Sequence, residues 1–188
     1  MLKTLFIALT LLLSFTVHAD DTTNPVVVIE TTEGNITAQL FADKAPLTVK
    51  NFLAYVDAGH YDDTIFHRVI SNFMIQGGGF TEDFNQKATR EPVKNESRNR
   101  LHNTRGTIAM ARTSDPDSAT AQFFINQRSN LQLDWTPGRQ GYTVFGEVLE
   151  GMDVVDFIAT APTGSKGRFA DVPVTTVTIT SITRKPQE

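Results

Sequence analysis

The chain contains no cysteine in its 188 residues. Disulfide bonds, thiol catalysis and metal sites built from thiolates are therefore all excluded. Without covalent cross-links the protein depends on packing, and a hydrophobic content of 40% is enough to form one domain with its own core. We therefore expect a single globular domain.

The chain also lacks an excess of positive charge, since its formal net charge is −4 at pH 7. The basic residues between Lys87 and Arg105 are interleaved with Glu91 and Glu96, so they form no continuous basic patch. Because nucleic-acid binding depends on such a patch, we expect no nucleic-acid partner.

Long apolar runs are absent except near the N-terminus. The uncharged run over residues 4–17 follows the positive start Met1-Leu2-Lys3, and it leads into Val17-His18-Ala19, which resembles a signal-peptidase site. A transmembrane anchor is the alternative, but the run is shorter than the roughly 20 residues that span a bilayer. The sequence predicts a cleaved signal peptide over residues 1–19, a mature domain over residues 20–188, and no membrane attachment after cleavage.

Hydrophobic periodicity assigns the first elements of the mature chain. Residues 26–29 are β-branched and residues 36–40 alternate apolar with polar side chains, while residues 31–35 between them favour a turn. This pattern predicts a β-hairpin. Residues 47–58 then repeat apolar positions at helical spacing and are followed by Gly59, which predicts a helix that ends there.

The rest of the chain has the pattern of short strands separated by polar loops. Strands are predicted over residues 65–70, 73–76, 106–111, 122–126 and 142–149. A second helix is predicted over residues 152–158, and a final strand over residues 174–182, where a change of phase indicates a bulge. About eight strands and two helices favour a closed antiparallel barrel or a sandwich, and closure removes exposed strand edges.

One arginine stands inside an apolar segment, FHRVISNFMIQGGGF, over residues 66–80. Arg68 either covers the surface with its aliphatic stem or faces a site. Gln122 and Phe124 share one face of a predicted strand, and if this face meets Arg68 the result is an apolar pocket with a guanidinium and an amide at its rim. Taken alone, the apolar residues of these segments are better explained as core.

Several segments together resemble the cyclophilins, the peptidyl-prolyl cis/trans isomerases. They are FHRVISNFMIQGGGF, GTIAMAR, QFFIN and YTVFGEVLEGMDVV, in the order of the family, and the resemblance covers residues 26–183. It implies a mostly β fold, a closed eight-stranded antiparallel β-barrel capped by two α-helices. The variants GGGFT, NTRGTIAMART and SATAQFFIN are most similar to the periplasmic cyclophilins of Gram-negative bacteria, which implies a periplasmic location.

The resemblance also implies a reaction and the residues that perform it. The protein would accelerate rotation about X-Pro bonds of unfolded or flexible exported polypeptides, as a monomer, with no cofactor and no metal. Arg68 would be the catalytic residue. The substrate-binding residues would be Phe73, Met74, Gln76, Ala111, Arg112, Thr113, Gln122, Phe124, Leu133 and Tyr142.

The sequence departs from the family pattern near this site. Gln132 stands where eukaryotic members have a tryptophan tied to cyclosporin binding, and Trp135 is three residues displaced, so we expect weak cyclosporin binding. Arg112 and Thr113 replace smaller residues beside the expected path of the peptide, which implies an altered substrate preference.

Other chemistries are disfavoured by spacing. Neither His67 nor His102 has a carboxylate or another histidine at metal-ligand spacing, and we expect His67 to be structural and hydrogen-bonded inside the barrel. Ser114 lies near two aspartates, but no G-x-S-x-G motif surrounds any serine, which disfavours a hydrolase.

Two other functions compete with the isomerase. A chaperone module that binds proline-containing peptides would use the same pocket, with incidental catalysis, and would survive the loss of Arg68. A small-ligand barrel of lipocalin type would need a hollow interior, whereas the many large apolar residues favour a filled barrel.

Overall fold

The computed structural model describes residues 24–186. The signal peptide predicted over residues 1–19 lies outside the described residues. Within residues 24–186, neither helix has the length and apolar character that crossing a membrane requires.

The described chain is mostly β, with eleven strands and two α-helices. The strands are β1 (Val26–Thr31), β2 (Gly34–Leu40), β3 (Thr64–Ile65), β4 (Arg68–Ile70), β5 (Met74–Gly77), β6 (Thr107–Met110), β7 (Phe123–Asn126), β8 (Val144–Glu150), β9 (Thr163–Lys166), β10 (Phe169–Pro173) and β11 (Thr178–Arg184). The helices are α1 (Pro46–Val56) and α2 (Met152–Ala159). Both helices and the N-terminal hairpin agree with the sequence prediction within one or two residues.

Nine strands form one antiparallel sheet in the order β3-β11-β1-β2-β8-β6-β7-β5-β4. The two end strands of this order, β3 and β4, are separated in sequence by only Phe66 and His67. The strand predicted over residues 65–70 is thus interrupted, and its two halves pair with opposite ends of the sheet. When β3 and β4 are counted as one interrupted strand, the sheet has eight strands. Because this strand lies at both ends of the order, the sheet closes into the predicted barrel.

The C-terminal region differs from the prediction in one respect and agrees in another. The last strand begins at Thr178 rather than at residue 174, and the Val174 side chain is exposed. The predicted bulge is confirmed, because Thr31 pairs with Ile179 whereas Glu30 pairs with Ser181. The extra residue allows both Ile179 and Ile182 to be buried.

The hairpin of β9 and β10 was not predicted from the sequence. All four residues of β9, Thr-Gly-Ser-Lys, are exposed, so the strand has no apolar alternation from which to predict it. This hairpin pairs only with itself but lies alongside β4.

Helix α1 begins with a contact to the long loop over residues 81–104. Ala45 offers no side-chain cap, and the Glu96 carboxylate instead accepts hydrogen bonds from the backbone N–H groups of Leu47 and Thr48, at 3.1 and 2.8 Å. The Thr48 hydroxyl donates to the same carboxylate at 2.7 Å. The loop therefore helps to hold the start of this helix in place.

The interior of the barrel is filled by aromatic rings. Phe52 of α1 lies 5.1 Å from Tyr61, 5.6 Å from Phe123 and 5.1 Å from Phe145, measured between ring centroids. All four residues are almost completely buried. This packing agrees with the predicted filled barrel and disagrees with the hollow interior of a lipocalin-type protein.

Candidate active site

A second apolar cluster lies on the outer face of β5, β6, β7 and β8. Its buried members are Met74, Ala109, Phe124 and Val144, and they alternate along the strands with residues that point into the barrel. Partly buried side chains pack around them: Ile70, Phe73, Leu101, Ala111, Leu133 and Tyr142. Six members of the cluster form the floor and sides of an open cavity of about 310 Å³: Phe73, Met74, Ala111, Phe124, Leu133 and Tyr142.

Most of the residues implicated by sequence lie around this one cavity. Its lining residues are Arg68, Phe73, Met74, Gln76, Ala111, Arg112, Phe124, Leu133 and Tyr142. Gln122 does not line the cavity itself but is hydrogen-bonded to Gln76, which does. Thr113 is exposed and engaged with Ser118, to which its hydroxyl is hydrogen-bonded at 2.8 Å.

The polar edge of the cavity is a chain of three side chains. Arg68 on β4 pairs in register with Gln76 on β5, and its Nη1 donates to Gln76 Oε1 at 3.4 Å. Gln76 Nε2 in turn donates to Gln122 Oε1 at 3.0 Å. Gln76 thus accepts a hydrogen bond from Arg68 through its amide oxygen and donates one to Gln122 through its amide nitrogen. The orientation of the guanidinium therefore depends on both glutamines.

The three glycines after Gln76 allow the chain to pass close to these side chains. A Cβ on Gly79 would lie 2.4 Å from Cγ of Gln122, a clash that only glycine avoids. Gly78 has φ +82° and packs against the rings of Tyr61 and Phe123. The glycine segment therefore packs against Gln122 at the polar edge of the cavity and against the aromatic rings inside the barrel.

One side of the cavity is made rigid by Arg112. Its guanidinium carbon lies 4.6 Å from the centroid of the Tyr142 ring, a cation–π contact. The guanidinium also donates to the backbone carbonyls of Thr113, Gln140 and Gly141 at 2.9, 2.8 and 3.3 Å. Arg112 is thus a fixed wall with its charge beside the cavity.

Below the apolar floor lies a buried polar network that the sequence analysis missed. Asn130 Nδ2 donates to the Phe73 carbonyl at 2.9 Å and to Asn126 Oδ1 at 2.8 Å. Asn126 Nδ2 donates to Asn103 Oδ1 at 3.2 Å, and Asn103 donates to Asp134. The sequence offered one signal for this network, namely Asn126 at the end of the apolar segment QFFIN. A buried amide needs hydrogen-bond partners, so an asparagine in a buried strand indicates other polar groups nearby.

His102 has no carboxylate at metal-ligand spacing in the sequence, but the fold brings one beside it. Its Nδ1 lies 2.7 Å from Asp134 Oδ2. Burial works to raise the pKa of Asp134, but hydrogen bonds from Asn103 and His102 outweigh it and the pKa is lowered. Among residues 24–186 no group of three acidic or histidine side chains could hold a metal.

His67 is buried among aromatic rings, which agrees with the structural role expected for it. Its ring packs against Phe80 and Phe169, at 4.7 and 6.5 Å between centroids, and Nδ1 has no hydrogen-bond partner in the described chain. Burial lowers the pKa of His67 to about 4, so the ring is neutral at pH 7.

This arrangement can bind a small apolar group that belongs to a longer chain. The cavity is open on one side, its floor is apolar, and one edge offers fixed N–H donors from a guanidinium. The described chain is therefore a filled barrel whose pocket lies on its surface, unlike barrels that hold a small ligand inside.

Comparison with known proteins identifies the class more closely. Residues 26–184 match the family described as cyclophilin type peptidyl-prolyl cis-trans isomerase/CLD. The chain is 54% identical to a peptidyl-prolyl cis-trans isomerase of Acinetobacter baylyi, with 85% of each protein covered. It is 55% identical to peptidyl-prolyl cis-trans isomerase B of Escherichia coli, covering 84% of this chain and 98% of that one.

A solved structure supports the same assignment. A cyclophilin type peptidyl-prolyl cis-trans isomerase of Cryptosporidium parvum, determined in the presence of the dipeptide Ala-Pro, matches with a TM-score of 0.71 and 28% identity, over 86% of this chain and 99% of that one. The chain belongs to the cyclophilin family. Its activity is peptidyl-prolyl cis-trans isomerisation.

Proposed function

We propose that the protein isomerises X-Pro bonds of exported polypeptides in the periplasm and so assists their folding. The predicted signal peptide over residues 1–19 supports export. The open cavity supports a substrate that is part of a longer, flexible chain, because an enclosed site would accept only a free small molecule.

The chemistry requires no nucleophile. Rotation about a peptide bond has a barrier of about 18–20 kcal/mol, because the nitrogen lone pair is conjugated with the carbonyl. Catalysis requires a group that interacts better with the twisted amide than with the planar one. In the twisted state the nitrogen lone pair is localised and can accept a hydrogen bond.

Arg68 is the group we assign to this task. A guanidinium has several donors in one plane and remains charged at every working pH. Its hydrogen bond to Gln76 orients it at the cavity edge before substrate arrives, which lowers the cost of reorganisation during the reaction. A rate increase of about 10⁶ requires about 8 kcal/mol of such differential stabilisation.

The remaining roles are those that the resemblance implies, and the residues that line the cavity support them. The proline ring of the substrate occupies the apolar floor formed by Phe73, Met74 and Phe124, closed at its sides by Leu133 and Tyr142. The amides of Gln76 and Gln122 and main-chain groups at 111–113 bind the backbone of the substrate on either side of the proline.

Weak cyclosporin binding belongs to the same proposal. Gln132 is exposed and does not line the cavity, and Trp135 stacks beneath the guanidinium of Arg98 at 5.5 Å rather than beside the pocket. Neither Gln132 nor Trp135 therefore extends the apolar surface beside Leu133 as the tryptophan of the eukaryotic pattern is expected to do.

The observation that carries the proposal is Arg68 at the edge of an apolar cavity, held by Gln76. The test measures cis-to-trans conversion of an Ala-Pro-Phe peptide by the signal-less protein, by Arg68→Ala, and by Arg184→Ala as a control remote from the cavity. We expect Arg68→Ala to lose orders of magnitude in kcat/KM and Arg184→Ala to be unchanged.

Two further measurements separate the alternatives. If Arg68→Ala still binds the peptide and still suppresses aggregation of an unfolded protein, the chaperone function exists beside catalysis. If Arg68→Ala remains fully active, the assigned mechanism is wrong. Expression of the full chain in a Gram-negative host, followed by fractionation and N-terminal sequencing, should recover a periplasmic protein that begins at Asp20; cytoplasmic recovery would contradict the location.

A further inference from the structure

The hairpin of β9 and β10 brings a carboxylate to the outer side of Arg68. Asp171 Oδ2 lies 3.7 Å from Arg68 Nε, and the two side chains are 43% and 41% exposed. Gln76 contacts the same guanidinium at Nη1. Arg68 is therefore contacted at two different nitrogens by two separate elements.

The backbone at Asp171 departs from a regular strand. Its φ is +58°, in the left-handed region that most residues avoid. The register between β10 and β9 shifts between Phe169 and Val172, which places Asp171 within a β-bulge. Bulges change the direction of a side chain and are over-represented next to active sites, so an unfavourable local conformation here accompanies a specific contact.

Aromatic packing fixes the hairpin in this position. The Phe169 ring lies 5.1 Å from Phe80 and 4.8 Å from Phe84. The Lys166 ammonium donates to the Glu82 carbonyl at 3.2 Å and lies 4.6 Å from the Phe84 ring. The hairpin is thus attached to the loop that follows the glycines.

We propose that Asp171 is a positioning residue for Arg68. The carboxylate holds the Nε side of the guanidinium while Gln76 holds Nη1, and the remaining N–H groups then face the cavity. Without the carboxylate the long side chain can adopt other rotamers, and fewer molecules have a donor where the twisted amide forms. This inference rests on the catalytic function proposed above for Arg68.

Two substitutions remove the ion pair without disturbing the backbone. Asp171→Gly keeps a left-handed conformation at no steric cost and removes the side chain, whereas Asp171→Asn tolerates that conformation and removes only the charge. We expect kcat to fall up to about fivefold in Asp171→Gly, by less in Asp171→Asn, with KM for a neutral peptide nearly unchanged. Added salt should lower kcat of the parent but not of Asp171→Gly, because an exposed ion pair is screened.

Asp156→Asn is the matched control. It removes the same charge from another half-exposed aspartate–arginine pair, that of Asp156 and Arg105, remote from the cavity. Circular dichroism and thermal melting confirm that each variant folds. If Asp171→Gly has the kcat of Asp156→Asn, or a higher kcat than the parent, the positioning role is wrong.

A double-variant cycle with Arg68→Ala separates the two proposals. If Arg68→Ala is inactive and adding Asp171→Gly changes nothing further, Asp171 acts through Arg68. If Asp171→Gly lowers the residual rate equally in both backgrounds, the carboxylate acts elsewhere and the inference fails. If Arg68→Ala retains full activity, the catalytic function proposed for Arg68 fails first.

Discussion

Phe123 and Phe124 are adjacent on β7, are the same residue type and are both buried, at 0% and 4% exposure. Because side chains alternate along a strand, Phe123 points into the barrel and Phe124 to its outer face. Phe123 contacts the rings of Phe52, Tyr61 and Phe66, whereas Phe124 lines the open cavity beside Tyr142. Burial therefore does not distinguish structural from functional residues here; the face of the strand does.

The largest effect we expect is on the inner face. Phe123→Ala removes a ring from a cluster that has no room to rearrange, and should lower the free energy of unfolding by about 3–5 kcal/mol. Urea denaturation measures this loss. At a temperature where the variant is still folded, kcat/KM should remain close to that of the parent. A large fall in kcat/KM of the folded variant would contradict the division between the two faces.

A second prediction concerns His67, which belongs to neither face. Its pKa is lowered from 6.5 to about 4 in the folded protein, so the unfolded chain binds more protons between these values. The folded state therefore loses stability as pH falls through this window, by about 3 kcal/mol in total. Urea denaturation at pH 7.5 and pH 4.5 measures the loss.

His67→Phe serves to isolate this contribution. It keeps an aromatic ring against Phe80 and Phe169 and cannot be protonated, so its stability should depend much less on pH in the same window. The lowered pKa of Asp134 changes the unfolding free energy only below this pH range. The lowered pKa of His60 leaves a smaller dependence of the unfolding free energy on pH in the variant. A parent and a variant with the same pH dependence would show that His67 is not the titrating group.

The smallest of these effects is on the outer face. Phe124→Ala removes part of the apolar floor and should lower kcat/KM about 10- to 100-fold, which corresponds to the burial of one aromatic ring against the substrate. The loss of unfolding free energy should be smaller than for Phe123→Ala, since fewer rings surround Phe124. If both variants lose equal stability and Phe124→Ala keeps its activity, the outer face of β7 is not the functional face.

Apolar periodicity predicted the helices and most of the strands. The residues that line the cavity were implied instead by the resemblance of segments such as QFFIN to the cyclophilins, since periodicity alone does not separate them from the core. Neither periodicity nor resemblance predicted β9, which is polar and exposed throughout, or the contact of Asp171 with Arg68. Nor could spacing reveal the Glu96 cap of α1 or the pair of His102 with Asp134, since these contacts join residues 32 or more positions apart.

The junction of β3 and β4 has a consequence for how the protein folds. Strand β11, the last in the chain, lies between β1 and β3, so the first and last strands are neighbours. Val27 pairs with Arg184, a contact that closes a loop of nearly the whole domain. A chain emerging from its N-terminus cannot complete the barrel until its final strand is available, and contacts of such high contact order make folding slow. The cavity is lined only by residues between Arg68 and Tyr142, but β3, which leads directly into Arg68, gains its partner β11 only when the two ends of the chain have met.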